Sequence, residues 1–200
     1  MLSDELKISL IRCLKELHLP TVRECYEEQA DKARNEDIIY EYYLAEVMER
    51  EREVRSHKRI QRMLRESKLP LEKSLDAFEI KRLPSKLAAQ VKALLEGSFV
   101  GRSENILAFG NPGSGKTHLL CAIGQELILQ GRRVLFTPCS LLVQRLLIAK
   151  RDLNLPKVLK RLCRYDAIIM DDIGYVQQDR EEMEVLFILL SERYERGSLM

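Results

Sequence analysis

The sequence predicts an α/β protein, with a helical N-terminal domain ahead of a parallel sheet that carries helices on both faces. Three observations lead there. Residues 1–68 contain no glycine and repeat their apolar side chains at three- and four-residue steps. From residue 105 the pattern changes to short apolar runs, "NILAFG", "RRVLFTP" and "YDAIIMDD", separated by helical stretches, as in a sheet buried on both sides. Between the first of these runs and the helix that follows stands "GNPGSGKTH", residues 110–118.

The elements follow in order. Leu6, Leu10, Cys13, Leu14 and Leu17 mark one face of a first helix, which Pro20 should end. Thr21 and Glu24 have capping-box spacing for a second helix carrying Tyr26 and Ala30. A third helix is expected from about Asn35, with Ile39, Tyr43 and Val47 on one face, running to about Lys68. Pro70 breaks the pattern, so a helical domain over 1–70 is expected, then a linker and amphipathic helix over 71–104, with Leu87, Val91, Leu94 and Leu95 facing inward. The sheet domain takes 105–200. Gly131 suits the end of its first helix, and Met183, Leu186, Phe187 and Leu190 should share the inner side of a helix over 180–195.

Composition limits the functional classes. The longest apolar run is six residues, Val185 to Leu190, far short of the roughly 20 that a membrane span needs. Charges within "MLSDELKISL" argue against a signal segment, so a cytoplasmic protein is expected. Cys13, Cys25, Cys121, Cys139 and Cys163 show no C-x-x-C spacing and read as reduced thiols; His18, His57 and His118 are too scattered for a metal cluster. The net charge of +2 conceals an uneven distribution. Residues 1–49 hold 6 Lys+Arg against 12 Asp+Glu, residues 50–68 hold 8 against 3, and residues 145–164 hold 7 against 1.

The chemistry starts with Gly110, Asn111, Pro112, Gly113, Ser114, Gly115, Lys116, Thr117 and His118. The first eight fit G-x-x-x-x-G-K-[ST] between an apolar strand and a helix, the context in which this P-loop pattern binds nucleotide. Its glycines let several N–H groups point at one anion, and the helix start adds its positive end. Lys116 should reach the β- and γ-phosphates of ATP and act in turnover, and Thr117 should offer its hydroxyl oxygen to Mg²⁺. The apolar run "AIIM" ends in Asp171 and Asp172 at the carboxyl edge of the sheet. Asp171 is expected to hold Mg²⁺ and Asp172 to orient or deprotonate the attacking water. His118 reads as a packed or capping histidine, and Tyr40, Tyr42 and Tyr43 as core and rim.

Two basic groups suit nucleic-acid phosphate. Arg55, Lys58, Arg59, Arg62 and Arg65 form a stripe at helical spacing, for which a solvated face is the even alternative. Arg145, Lys150, Arg151, Lys157, Lys160, Arg161 and Arg164 lie between the second and third apolar runs with one Asp to balance them, and favour DNA.

Beyond the P-loop, "FVGRSENILAFGNPGSGKTHLLCAIGQELILQGRRVLFTP" and "LKRLCRYDAIIMDDIGYVQQDREEMEVLFILLSERYERGS" resemble the IstB-like ATPases, helper proteins encoded beside the transposase of bacterial insertion sequences. "KTHL", "DDIGY" and "LFILLSERYERGS" are the most distinctive pieces, and upstream segments from "LKELHLPTVRECYEEQA" onward continue the likeness. The resemblance implies an AAA+ ATPase of the initiator and helicase-loader clade, with ATP and Mg²⁺ as cofactors. It implies a homo-oligomer formed on ATP and double-stranded DNA, which delivers that DNA to a transposase. A DnaC-type helicase loader and an ATP-binding remnant without turnover are the alternatives. In such ATPases a further strand, carrying a polar sensor, lies between the P-loop strand and the "AIIM" strand, and an arginine acting on the neighbouring subunit's nucleotide follows. Only Leu199 and Met200 correspond to that strand here. The resemblance therefore implies a C-terminally truncated chain, a gap between "ILAF" and "AIIM", loose packing, and no hydrolysis.

Overall fold

The computed structural model describes residues 4–80, 83–175 and 179–200, and the chain divides into two compact units, Met1–Gln61 and Arg62–Met200.

The first unit holds α1 (Asp4–Glu16), α2 (Pro20–Asn35) and the opening turns of α3 (Tyr40–Ser67). Leu14, Val22, Tyr26 and Val47 form its core, flanked by Leu10, Leu19, Cys25 and Tyr43. The first helix ends earlier than Pro20. His18 takes φ 53° beyond Glu16, the Leu19 N–H returns to the Leu14 carbonyl, and Pro20 instead opens α2, where its missing N–H is no loss. Leu17 is thereby left outside the helix and, like Leu6, exposed. The expected capping box is absent as well. Glu51 of α3 reaches across, and its Oε2 accepts the N–H groups of Thr21 at 2.8 Å and Val22 at 3.1 Å. Burial pushes the Glu51 carboxyl up, but the Arg55 guanidinium and the N–H groups of Val22 and Thr21 outweigh it and leave it below the usual glutamate range. The third helix starts at Tyr40 rather than Asn35, after Asp37 at φ 49°, which leaves Ile39 exposed before it. Tyr43 donates its hydroxyl to the Tyr26 carbonyl at 3.2 Å, whereas Tyr40 and Tyr42 stand exposed rather than in the core.

The second unit continues with α4 (Ser85–Leu95), α5 (Ser98–Gly101), α6 (Lys116–Leu129), β1 (Val134–Pro138), α7 (Cys139–Arg151), α8 (Leu155–Leu162), β2 (Ala167–Asp171), a 3-10 turn (Ile173–Tyr175), α9 (Arg180–Arg193) and β3 (Ser198–Leu199). Gly131 follows the end of α6 as expected, its N–H bonded to the Ile128 carbonyl. The sheet is parallel, in the order β1-β2-β3, with Val134 opposite Ala167 and Ile168 opposite Leu199. Alternation along each strand divides the packing. Leu135, Ile168 and Leu199 join Leu142, Leu146, Leu162 and Leu189 of α7, α8 and α9. Ile169 points the other way, to α6, so closely that a Cβ on Gly124 would stand 2.8 Å from its Cδ1.

On α4, Val91 is buried as expected but Leu87 is 39% exposed. On α9 the inward residues are Val185, Leu186 and Leu189, while Met183, Phe187 and Leu190 face solvent. Arg193, 2% exposed, donates to the carbonyls of Leu162, Tyr165, Asp166 and Ser198. It thus ties the end of α8 and the entry of β2 to β3, and burial draws its pKa below the ordinary arginine value. Among the described residues no helix is long and apolar enough to cross a membrane.

The run "NILAFG" forms no regular strand. β3 occupies the position expected to be a gap. The Met200 N–H reaches the Ile168 carbonyl at 2.9 Å and the Met170 N–H reaches the Met200 carbonyl at 2.7 Å, so "AIIM" is bonded across to the last residues. On the other side the Ile106 N–H meets the Leu199 carbonyl at 2.8 Å and Asn105 Oδ1 accepts the Leu199 N–H at 2.8 Å. There the pairing stops, and Leu107 and Phe109 are 73% and 87% exposed. What is left in water here is apolar surface, not unpaired "AIIM" backbone.

Candidate functional site

α6 begins at Lys116 because the chain turns into it through Gly115 at φ 85°. A side chain there would be strained, and its Cβ would lie 3.3 Å from Phe78 Cε2. The Ser114 N–H closes the preceding turn on the Asn111 carbonyl at 3.2 Å. Gly110, Pro112, Gly113, Gly115 and the first residues of α6 line a cleft of about 890 Å³ at the carboxyl end of β2, a size that suits a cofactor. Lys116 lies back along the loop, its Nζ donating to the carbonyls of Gly110 at 2.8 Å and Asn111 at 2.9 Å.

Across the cleft, β2 delivers Asp171. The Thr117 hydroxyl donates to Asp171 Oδ1 at 2.9 Å, so two of the residues expected to hold Mg²⁺ meet although 54 positions apart. A hydroxyl and a carboxylate oxygen at this separation are hard donors of the kind that would suit Mg²⁺. Asp172 lines the same cleft, exposed, at φ 58°, a conformation short acidic side chains tolerate better than most. His118 turns from the loop to the segment before α4. Its Nε2 lies 2.9 Å from the Ser74 carbonyl and its ring meets Phe78 edge-on, with centroids 5.3 Å apart. One turn along α6, burial pushes the Cys121 thiol up to about 12, with Lys73 opposing and Asp171 and Glu72 adding to the shift.

The basic residues separate into committed and free. Arg55 binds Glu51 at 2.6 Å and also donates to the His18 carbonyl. Arg62 lies 3.9 Å from Glu66, Lys150 2.8 Å from Glu184 and Arg151 3.6 Å from Asp152. Arg145 is half-buried. Lys157, Lys160, Arg161 and Arg164 are exposed and carry no ion pair among the described residues, as is also true of Arg59. The first four recur at i, i+3, i+4 and i+7 along α8 and its exit, opposite the buried Val158, Leu159 and Leu162.

Sequence reasoning missed the stretch 69–80, taken as the end of the helical domain and the start of the linker. Gln125 of α6 donates to the carbonyls of Pro70, Leu71 and Lys73 at 3.2, 3.4 and 3.1 Å. The available signal was the pair His118 and Gln125, two polar residues seven apart on a helix whose other residues from Leu120 to Ile128 are buried apart from Glu126.

Comparison with known proteins supplies the context. The family described as IstB-like ATP binding protein matches residues 12–200. A protein of Sinorhizobium fredii described as an insertion-sequence ATP-binding protein is 41% identical over 198 residues, covering 98% of this chain and 66% of its own length. The IS21 ATP-binding protein of Pseudomonas aeruginosa is 36% identical over 196 residues, covering 98% and 72%. The chain thus spans about two thirds to three quarters of the length of these relatives. Among solved structures, the replication initiator DnaA bound to AMPPCP and single-stranded DNA superposes with TM-score 0.57 at 22% identity, over 66% of this chain and 42% of that one. The DnaC helicase loader gives TM-score 0.57 at 20% identity, over 64% and 75%. At such identities the likeness is one of fold.

Proposed function

The chain belongs to the IstB-like ATP-binding proteins, and from that premise we propose that it binds Mg-ATP in the cleft between the P-loop and β2 and serves insertion-sequence transposition by assembling on DNA. The observation that carries the nucleotide reading is the 2.9 Å contact between Thr117 and Asp171 beside Lys116. Lys116 exchanges its two loop carbonyls for the β- and γ-phosphate oxygens. Thr117 and Asp171 hold Mg²⁺, which when bound draws charge from the phosphates. The N–H groups at the start of α6 face the same anion. Asp172, exposed in the cleft, is the carboxylate for a water attacking the terminal phosphate.

The DNA reading is supported by the cations of α8 and its exit, which carry no ion pair among the described residues and offer a duplex backbone a row of charges. Assembly into a homo-oligomer on ATP and DNA, and transfer of that DNA to the transposase encoded alongside, complete the proposal, as does a helical domain before Pro70 that serves assembly. The test is nucleotide affinity. Lys116→Ala should bind ATP at least tenfold more weakly, since charge-assisted contacts to phosphate are strong. Equal affinity in the two proteins would overturn the reading.

A further inference from the structure

Residues 69–80 form a strap stitched along α6 to the P-loop. Leu69 is buried, and a Cβ on Gly124 would lie 3.3 Å from its Cδ1. Gln125 then donates to the strap carbonyls of Pro70, Leu71 and Lys73, His118 meets that of Ser74, and Phe78 ends against Gly115. Lys73 sits in the middle of this strap. The residue is half-buried, lines the cleft that holds Lys116, Thr117 and Asp171, and has no ion pair among the described residues.

We propose that Lys73 is a second cation for the polyphosphate of the bound nucleotide, and that this contact fixes the strap onto the P-loop. The inference rests on the reading of the cleft as a nucleotide site. A triphosphate with its metal brings more negative charge than Lys116 alone balances. An ammonium on a flexible four-carbon stem, with no carboxylate paired to it among the described residues, gains from such an anion. Because the Lys73 carbonyl is held by Gln125 at 3.1 Å, engaging its side chain also tightens the backbone around it. The strap then orders when nucleotide is present and loosens when it leaves.

The experiment uses the whole 200-residue chain with AMPPCP and Mg²⁺, and reads both affinity and amide hydrogen exchange across 70–80. In the unmodified protein, saturating nucleotide should slow exchange in the strap severalfold. Lys73→Gln should weaken binding about tenfold, the worth of one charge-assisted hydrogen bond, and should abolish strap protection even at saturation. Lys73→Arg should restore both. Unchanged affinity and undiminished protection in Lys73→Gln, with binding lost in Lys116→Ala, would overturn the role of Lys73 while leaving the nucleotide site intact. Undiminished binding in Lys116→Ala would remove the nucleotide site, and this inference with it.

Discussion

The Thr117 hydroxyl donates to Asp171 Oδ1 at 2.9 Å, which joins the first turn of α6 to the last residue of β2. This contact converts two separate sequence patterns into one site, because it brings a neutral and an anionic oxygen together beside the lysine of the loop.

Asp171→Asn should uncouple nucleotide binding from the metal. The amide keeps the shape and can still bond Thr117, but offers Mg²⁺ no charge. Titration of a fluorescent ATP analogue with Mg²⁺ and with EDTA should give a large difference in the parent protein and a small one in the variant. Equal Mg²⁺ dependence in both would exclude Asp171 as a ligand. Asp172→Asn should leave both titrations unchanged and reduce any turnover seen in a chain extended with a family-like C-terminus.

Replacing Lys157, Lys160, Arg161 and Arg164 with Gln should weaken duplex binding for all sequences alike. It should also flatten the dependence of log affinity on log salt by about three to four units, close to one for each lost phosphate contact. Arg55→Gln should behave differently, since Arg55 is committed to Glu51 and the His18 carbonyl. It should lower the unfolding temperature with little change in the salt slope. Gel-shift titrations at several salt concentrations separate the two, and an unaltered slope in the fourfold variant would make the α8 cations a solvated face.

Cys121 should make stability fall in alkali. Its folded pKa is raised to about 12 against about 8.5 in an unfolded chain. Above about pH 8.5 the unfolded state therefore binds fewer protons, and stability is lost as pH rises, at up to about 1.4 kcal/mol per unit. Cys139, Tyr26 and Tyr43 are shifted upward too, chiefly by burial, and add in the same direction. Urea midpoints from pH 8 to 10 should drop more steeply in the parent than in Cys121→Ala; parallel profiles would count against the burial of this thiol. In native protein a thiol reagent should modify the exposed Cys13 well before Cys121.

Leu107 and Phe109 should bind hydrophobic dye and promote aggregation. Changing both to Ser should reduce dye fluorescence and leave stability within about 0.5 kcal/mol, the usual effect of surface substitutions. A loss of several kcal/mol would mean that these side chains are buried in solution.

What was legible followed from local pattern. "VLFTP" and "AIIMD" became β1 and β2 because a run of apolar residues fills both faces of a covered strand. The turn into α6 was legible because the closely spaced glycines of the loop allow the positive φ that Gly115 takes there. What failed depended on distant partners. Thr21 looked like a cap, but Pro20 shifted the helix start and Glu51, 30 residues away, took the N–H groups. Phe187 and Leu190 carry the apolar spacing of an inner face, yet Val185, Leu186 and Leu189 occupy it. Lys73 gave no signal, since the strap around it is held largely through the carbonyls of Pro70, Leu71, Lys73 and Ser74, which leave no mark on side-chain pattern. "NILAFG" has strand composition, but whether it pairs is decided at Leu199.

That last dependence sets a folding order. Asn105 and Leu199 are 94 residues apart, and closing a loop of that size costs about 4 kcal/mol of chain entropy. α6, α7 and α9 gain most of their contacts over shorter separations, so they can consolidate on β1 and β2 first. Contacts of such high sequence separation form slowly. The approach to the P-loop through Asn105 and Ile106 therefore takes its place late, after β3 has docked on β2. During synthesis, Lys116 and Thr117 emerge long before the residues that fix the chain leading into them, and the cleft matures only as its most distant contact closes.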